Sequence, residues 1–463
     1  MSSPFPRSGV FDATTSPASA RLGHVVVIGA SMAGLLSAAA LAPHCAGVTI
    51  VDRDRLPSPA RSDDWAPRRG TPQARHAHGL LARGIEAITT LLPGVMDRLL
   101  QAGARPYDIA GDVAWINRGH RLAAFDSGLR GLSLSRAALE RVVRTQVADI
   151  GNVEIRDECA VLEPRARLQP DSRRQVIGVK IRYTDTTTGL PYEDVLPAEL
   201  VVDAAGRASR LPDWLAAWDY PAPQEQRLDV DLRYVTRIYT RRTPAGGAVI
   251  GPTSSCARAG ALLWMEDDRW MATLGGYGTD RPPLDEEEFL GFAASLPSSL
   301  IHDLLQGERV LEGPYSHHVP ANRWYRYDQM PEFPDAILPV GDSVSVFNPL
   351  YGQGMTVAAL HALSLRDTLT GGLHDLAGRF LPRAAAATAM AWDIAVAGDA
   401  PLVGTLPPEQ RNLEHYLDTF HTAAASDTGL ARLFLDVVNL QRPAADLFTD
   451  DATEAVSRAR STA

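Results

Sequence analysis

Near the start of the chain, Gly29, Ser31, Gly34 and, about twenty positions on, Asp52 have the types and spacing to hold a pyrophosphate and a ribose. Gly29 ends the apolar run Val25-Val26-Val27-Ile28 and can make a tight turn, while Gly34 lets the following helix press on that strand. The anion would sit where this helix opens, at Met32 and Ala33, because unpaired backbone N–H groups and the positive end of the helix dipole favour negative charge. Asp52 closes a second apolar run, Val48-Thr49-Ile50-Val51. Its carboxylate can accept from ribose hydroxyls and disfavours a 2′-phosphate, so FAD or NAD fits better than NADP. Ser31 stands where the fingerprint has its middle glycine and crowds the pyrophosphate slightly.

Two more segments carry the same kind of signal. One is Leu200-Val201-Val202-Asp203-Ala204-Ala205-Gly206-Arg207; the other runs from Ile337 through Val340-Gly341-Asp342-Ser343 to Phe347-Asn348-Pro349-Leu350-Tyr351-Gly352-Gln353-Gly354-Met355 and into an Ala-rich helix. Each reads as a strand followed by a turn.

The elements that must position these residues follow from the hydrophobic pattern. The opening is a β-α-β unit, and residues 53 to 78, rich in Arg, Pro, Asp and His, form a long loop. Helical spacing covers Ile85 to Leu100, and residues 112 to 125 form a hairpin around Asn117-Arg118-Gly119. A helix starts behind Ser135 as its cap. Residues 153 to 204 read as a meander of short strands. Strand patterns at Leu228 to Tyr239, Ala261 to Met265 and Trp270 to Leu274 form a second antiparallel sheet with the hairpin. From Ala336 onward the chain returns to one apolar strand and is then mainly helical.

With 463 residues, 45% hydrophobic and 22% charged, the chain has the balance of an ordinary globular protein. A net charge of −10 without a basic aromatic patch argues against nucleic acid. Cys45, Cys159 and Cys256 are far apart and odd in number, which fits free thiols in a reducing, cytoplasmic setting. The first twenty residues read as a flexible tail with no signal-peptide core, and no apolar stretch is long enough to predict a transmembrane span.

In this order the three motifs resemble the FAD-dependent monooxygenases of the p-hydroxybenzoate hydroxylase fold. The wording of Pro67-Arg68-Arg69-Gly70-Thr71-Pro72-Gln73-Ala74-Arg75-His76-Ala77-His78-Gly79-Leu80 is most similar to the bacterial polyether-type epoxidases of natural-product pathways. The resemblance implies a mixed α/β (α+β) fold: a Rossmann-like FAD-binding domain from residues 21–105, 131–215 and 335–370, an antiparallel-sheet substrate domain from 106–130 and 216–334, and a helical C-terminal region, 371–463. It also implies roles. Asp342, next to Gly341, would bind the ribityl hydroxyls; Gly352, Gln353, Gly354 and Met355, led in by Pro349, would bring N–H groups to the flavin's pyrimidine edge. Arg69 and Arg136 would contact the pyrophosphate and ribityl side, and Arg53, Asp203 and Gly206 are carried over as cofactor positions. Phe347 and Tyr351 would line the substrate pocket, joined by the strand aromatics Tyr234 and Trp264.

The implied activity transfers one oxygen atom from O2, through a flavin C4a-(hydro)peroxide, to an alkene of a polyketide or polyene intermediate. The same intermediate would also serve aromatic hydroxylation, and related flavoproteins reduce double bonds. No second dinucleotide fingerprint is present, so electrons would come from transient NAD(P)H or as reduced flavin from a separate reductase. The substrate would be an apolar small molecule, and no catalytic side chain is assigned.

Other chemistries fit less well. His76 and His78, with Asp63 and Asp64 upstream, lack the Cys or third His that would complete a metal set, so no metal is expected. Gly29-Ala30-Ser31-Met32-Ala33 only loosely echoes the hydrolase G-x-S-x-G elbow, since Ala33 takes its last position. The W-x-W-x-I-P signature of flavin halogenases is absent.

Overall fold

A computed structural model describes residues 21–57, 68–184, 188–404 and 408–462. The tail expected at residues 1–20, and Asp63 and Asp64, lie outside the described residues.

Five short strands, Leu22–Ile28, Cys45–Val51, Val153–Arg156, Leu200–Asp203 and Ile337–Pro339, form one parallel sheet. Leu22–Ile28 lies at its centre, between Cys45–Val51 and Leu200–Asp203, with Ile337–Pro339 beyond the latter at one edge. Residues 25–28 and 48–51, with Leu200–Asp203 and Ile337–Pro339, are buried on both faces, which is why they read as apolar runs, whereas the edge strand Val153–Arg156 is only partly covered. The helices Met32–Leu41, Gly354–Leu369 and Leu376–Val403 pack in series over the sheet. All three dinucleotide-type motifs therefore end at strands of one sheet, although long segments separate them in sequence.

The expected meander is corrected in part. Its first and last runs, Val153–Arg156 and Leu200–Asp203, belong to the parallel sheet. What remains between them is an antiparallel group of three, Cys159–Leu168, Arg174–Thr184 and Pro191–Pro197. The helix expected over Ile85 to Leu100 is two helices, Ala82–Leu91 and Val95–Gln101, divided at Pro93-Gly94, where Gly94 takes a positive φ of 80°.

A second sheet of eight strands is built around Gln224–Thr240, which pairs antiparallel with Val310–Arg326 on one side and Arg269–Tyr277 on the other. The hairpin Val113–Asn117/His120–Arg121 joins its far end through a parallel pairing with Gly247–Ile250. Positive φ at Arg118 and Gly119 gives that hairpin the turn handedness matching strand twist, and Asp267 and Asp268 do the same for the next one.

Strand alternation gives this sheet two different faces. Trp270, Ala272, Leu274, Leu262 and Trp264 pack beneath the helices Glu286–Ala294 and Leu300–Leu305. Thr273, Gly275, Ala261 and Leu263, at the intervening positions, face a cavity. The C-terminal helices Pro408–Ala424 and Thr428–Val438 close that cavity from the opposite side, held to the hairpin by Arg118, which pairs with Glu414 and Asp418 at 2.8 Å each.

Candidate functional site

The turn after the first strand is tighter than a side chain allows. Gly29 has φ +104°, and a Cβ there would lie 2.5 Å from the Ala204 carbonyl oxygen. A Cβ on Gly34 would stand 1.8 Å from the Gly29 carbonyl oxygen, so the helix Met32–Leu41 can rest on the turn only with glycine at this position. That helix has no side-chain N-cap and no acidic residue in its first turn, which leaves its leading N–H groups for an anion. Met32 is buried, and Ala33 meets the Gly341 turn, where a Cβ would lie 2.7 Å from Ala33 Cβ.

Ser31 does not crowd this position as its type alone suggests. Its hydroxyl accepts from Arg136 Nη2 at 3.1 Å and faces Glu140 Oε2 at 3.4 Å, a buried carboxylate shared by Arg68 (2.9 Å), Arg136 (3.0 Å) and Arg144 (3.3 Å). Three guanidinium groups hold Glu140 below the usual carboxylate range against the opposing effect of burial.

Asp52 accepts from Ala30 N at 2.7 Å and Asp54 N at 2.9 Å and pairs with Arg68 at 3.2 Å. Arg68 Nη1 also lies 3.3 Å from its other oxygen, so each carboxylate oxygen already takes two contacts and a ribose would share Asp52 with Arg68. Arg68, which the sequence reading passed over for Arg69, is the arginine that reaches this end of the site. Arg69 and Arg53 are exposed and make no hydrogen bond or ion pair to any described residue.

The second and third motifs interlock. Asp203 is fully buried; its carboxylate accepts from Ala205 N at 3.0 Å, from Ser209 Oγ and from Ser343 Oγ at 3.5 Å. It braces the turn rather than facing an open cleft, which corrects its place among cofactor contacts. Gly206, at φ +66°, donates its N–H to Ser343 Oγ at 2.9 Å. Gly341, at φ +60°, donates to Nδ1 of buried His361 at 3.1 Å.

Asp342 is different from Asp203. It is half-buried and makes no hydrogen bond or ion pair to any described residue; burial raises its pKa, with Arg207, Arg136 and Arg323 acting against that shift. Beyond it, Gly352 turns at φ +67° and the helix Gly354–Leu369 begins, with no side-chain cap and no acid in its first turn. A Cβ on Gly354 would lie 3.9 Å from Asp342 Oδ1, so the carboxylate and the helix head border the same space. Gln353 is buried with both amide atoms unpartnered; Met355 is half-buried in the first turn of the helix. An unpaired carboxylate, an unpaired amide and uncapped N–H groups suit a ligand rich in hydroxyl, carbonyl and ring-nitrogen groups. These residues therefore fit FAD, with Asp342 toward its ribityl hydroxyls and residues 352–355 toward its pyrimidine edge.

This space adjoins the cavity, whose volume is about 800 Å³. Pro349, Tyr351, Gly352 and Gln353 line one end and Tyr234 a side wall. Trp264 and Phe347 do not line it. Trp264 stacks on Trp270 at 6.0 Å because its parity in the strand places it on the helix-covered face, and Phe347 packs with Leu81, Val357 and Ala391. Tyr351 reaches the cavity, but its hydroxyl donates to Asp399 at 2.9 Å. His76 and His78 are held neutral by burial, with pKa values near 3 and 4. Among the described residues, no group of three or more His, Cys, Asp or Glu is gathered to hold a metal, and no helix is long and apolar enough to cross a membrane.

The sequence reading also missed His361, Glu140 and Asp399. His361 lies in the helix that follows the third motif, and Glu140 lies one helical turn after Arg136; both spacings are visible in the sequence. Nothing in the sequence around Asp399 marks it.

No family model matches the chain. Protein Rv3254 of Mycobacterium tuberculosis is 33% identical over 430 residues, covering 89% of this chain and 88% of the relative. Among solved structures, the flavin-dependent brominase Bmp2 superposes with a TM-score of 0.65 at 12% identity, covering 95% of this chain and 98% of that one. The p-nitrophenol 4-monooxygenase PnpA of Pseudomonas putida gives 0.58 at 16%, covering 90% and 98%. The chain shares the fold of these proteins.

Proposed function

We propose that this chain, which belongs to the same family as Protein Rv3254 of Mycobacterium tuberculosis, is an FAD-dependent monooxygenase that transfers one oxygen atom from O2 to an apolar small molecule. The observation that carries this reading is the juxtaposition of an unpartnered Asp342 carboxylate and an uncapped helix head with a cavity of about 800 Å³. When bound, FAD supplies the oxygen chemistry. The chain's own residues bind and orient it, and the apolar walls, including Leu80, Leu81, Leu232 and Leu263, exclude water from the reacting groups.

An alkene needs no acid–base pair, so epoxidation of a polyene or polyketide alkene is the first reading. One observation favours a second, aromatic hydroxylation. Ala77 N donates to Thr273 Oγ1 (3.0 Å), which is 2.6 Å from Thr236 Oγ1, itself 2.8 Å from His76 Nδ1. In the order in which Thr273 donates to Thr236 and Thr236 to Nδ1, the His76 proton sits on Nε2. Next to it the Tyr234 ring meets the His76 ring edge-on at 4.5 Å, and the Tyr234 hydroxyl is buried without a partner. Two donors in the wall suit a phenolic or carbonyl oxygen. PnpA is a p-nitrophenol 4-monooxygenase, which supports the same second reading.

Electrons arrive from NAD(P)H binding transiently or as reduced flavin from a partner reductase. The test is product analysis after incubation with FAD, a reductant and O2, using alkene and phenol panels in parallel. Oxygenated product from either panel supports a monooxygenase and selects between the two readings. Product formed without O2 would replace the proposal with a double-bond reductase.

A further inference from the structure

Four polar side chains from two parts of the fold meet around one buried carboxylate on a third. Asp399, on the helix Leu376–Val403, is fully buried. Its Oδ1 accepts from Tyr277 Oη (2.8 Å), Tyr351 Oη (2.9 Å) and Asn348 Nδ2 (2.9 Å), and its Oδ2 from Asn322 Nδ2 (2.6 Å). Tyr277 and Asn322 belong to the large sheet, whereas Asn348 and Tyr351 belong to the loop that leads into the helix Gly354–Leu369. Asn348 is pinned again by its own N–H, which donates to Asn322 Oδ1 at 2.5 Å, and its Oδ1 caps the short turn by accepting from Leu350 N at 2.9 Å.

The neighbour of Asp399 is as specific as the carboxylate. A Cβ on Gly398 would stand 2.1 Å from Tyr351 Oη, so only glycine lets that hydroxyl pass to Asp399. Four donors on one carboxylate offset part of its desolvation, and two of them, Asn348 and Tyr351, tie the turn to it.

We infer that Asp399 is a positioning residue for the cofactor: from a helix far along the chain, it fixes the turn Asn348–Gly352 and so sets where the free N–H groups at the head of Gly354–Leu369 meet the flavin. This rests on the FAD reading above. Asp399 reaches the cofactor only through Asn348 and Tyr351.

The test compares wild type, Asp399→Asn, Tyr351→Phe and Gly398→Ala, each titrated with FAD, with the flavin absorption spectrum and midpoint potential recorded and the apoprotein melted by circular dichroism. Asp399→Asn keeps the shape but points an amide donor at a group of donors. It is expected to weaken FAD binding about tenfold or more, on the strength of hydrogen bonds to a charged group. It should also shift the flavin bands and lower the potential, because anionic reduced flavin loses aligned N–H groups. Tyr351→Phe and Gly398→Ala should move the same readouts in the same direction by less, and they carry the test if Asp399→Asn does not fold. Variants that bind FAD with unchanged spectrum and potential, whatever their melting temperatures, overturn the inference. A wild type that takes up no FAD overturns both it and the FAD reading; wild-type uptake with unaltered variants overturns this inference alone.

Discussion

His361 Nδ1 accepts a hydrogen bond from the Gly341 N–H at 3.1 Å, while its Nε2 lies 3.1 Å from the Ala384 carbonyl oxygen and 3.0 Å from Thr388 Oγ1. A single fully buried imidazole thus ties the Gly341-Asp342 turn to the helix Leu376–Val403. The backbone donor requires Nδ1 to be unprotonated, and burial agrees, lowering the His361 pKa to about 4. His361→Leu removes the acceptor and leaves a buried N–H unpaired, which is expected to cost about 1–3 kcal/mol. Urea unfolding at pH 7.5 measures it; an unchanged midpoint would show that the turn does not need the imidazole.

His76, His361 and His421 are all buried, and burial lowers their pKa values to about 3, 4 and 3 from an ordinary 6.5. Below pH 6.5 the unfolded chain binds protons that the folded chain refuses, so stability must fall as pH drops from 6.5 toward 4 and stay flat above about pH 7.5. Each histidine contributes a slope of up to ~1.4 kcal/mol per pH unit in that window. Asp203, Asp342 and Asp399, whose pKa values burial raises, act with the opposite sign as they take up protons in the folded state. Urea midpoints measured from pH 4 to 8 should therefore rise with pH up to about 7. A midpoint that stays flat or falls as pH rises would show that the buried imidazoles do not outweigh the buried carboxylates.

Gly34→Ala places a methyl group 1.8 Å from the Gly29 carbonyl oxygen, a contact that the rigid turn cannot relieve. The helix Met32–Leu41 must lift off the strand, at a cost of about 1–3 kcal/mol by analogy with overpacked cores. The expected result is little soluble protein, or soluble protein that does not retain FAD. Normal yield and FAD occupancy would contradict the close packing.

Asp342→Ala should reduce FAD occupancy, because each hydrogen bond from a ribityl hydroxyl to a charged acceptor is worth roughly 1.5–3 kcal/mol. Asp342→Asn should fall between alanine and wild type. Complete flavin retention in Asp342→Ala would remove Asp342 from the site.

The backbone half of the site was legible in the sequence because glycine turns after apolar strands have few other uses. Gly29, Gly34 and Gly341 are at close approaches that a Cβ would obstruct, and Gly352 turns at φ +67°. The side-chain half was less legible. Strand alternation shows that Trp264 and Leu263 point to opposite faces but not which face holds the cavity, and the structure puts Trp264 under the helices. Arg68 and Arg69 are equivalent as sequence, and only the folded loop turns one inward. Asp203 and Asp342 both follow apolar strands, yet one braces a turn and the other has no partner. Asp399 meets partners 48 to 122 positions away, and no local pattern encodes such a meeting.

The most direct measurement is the visible spectrum of purified protein after incubation with FAD and removal of the excess, repeated after anaerobic reduction and after admission of air, with the released cofactor identified by chromatography. A flavin spectrum from stoichiometric FAD, bleached by reduction and restored by oxygen, is the expected result. A colourless protein that refuses FAD would contradict the central claim.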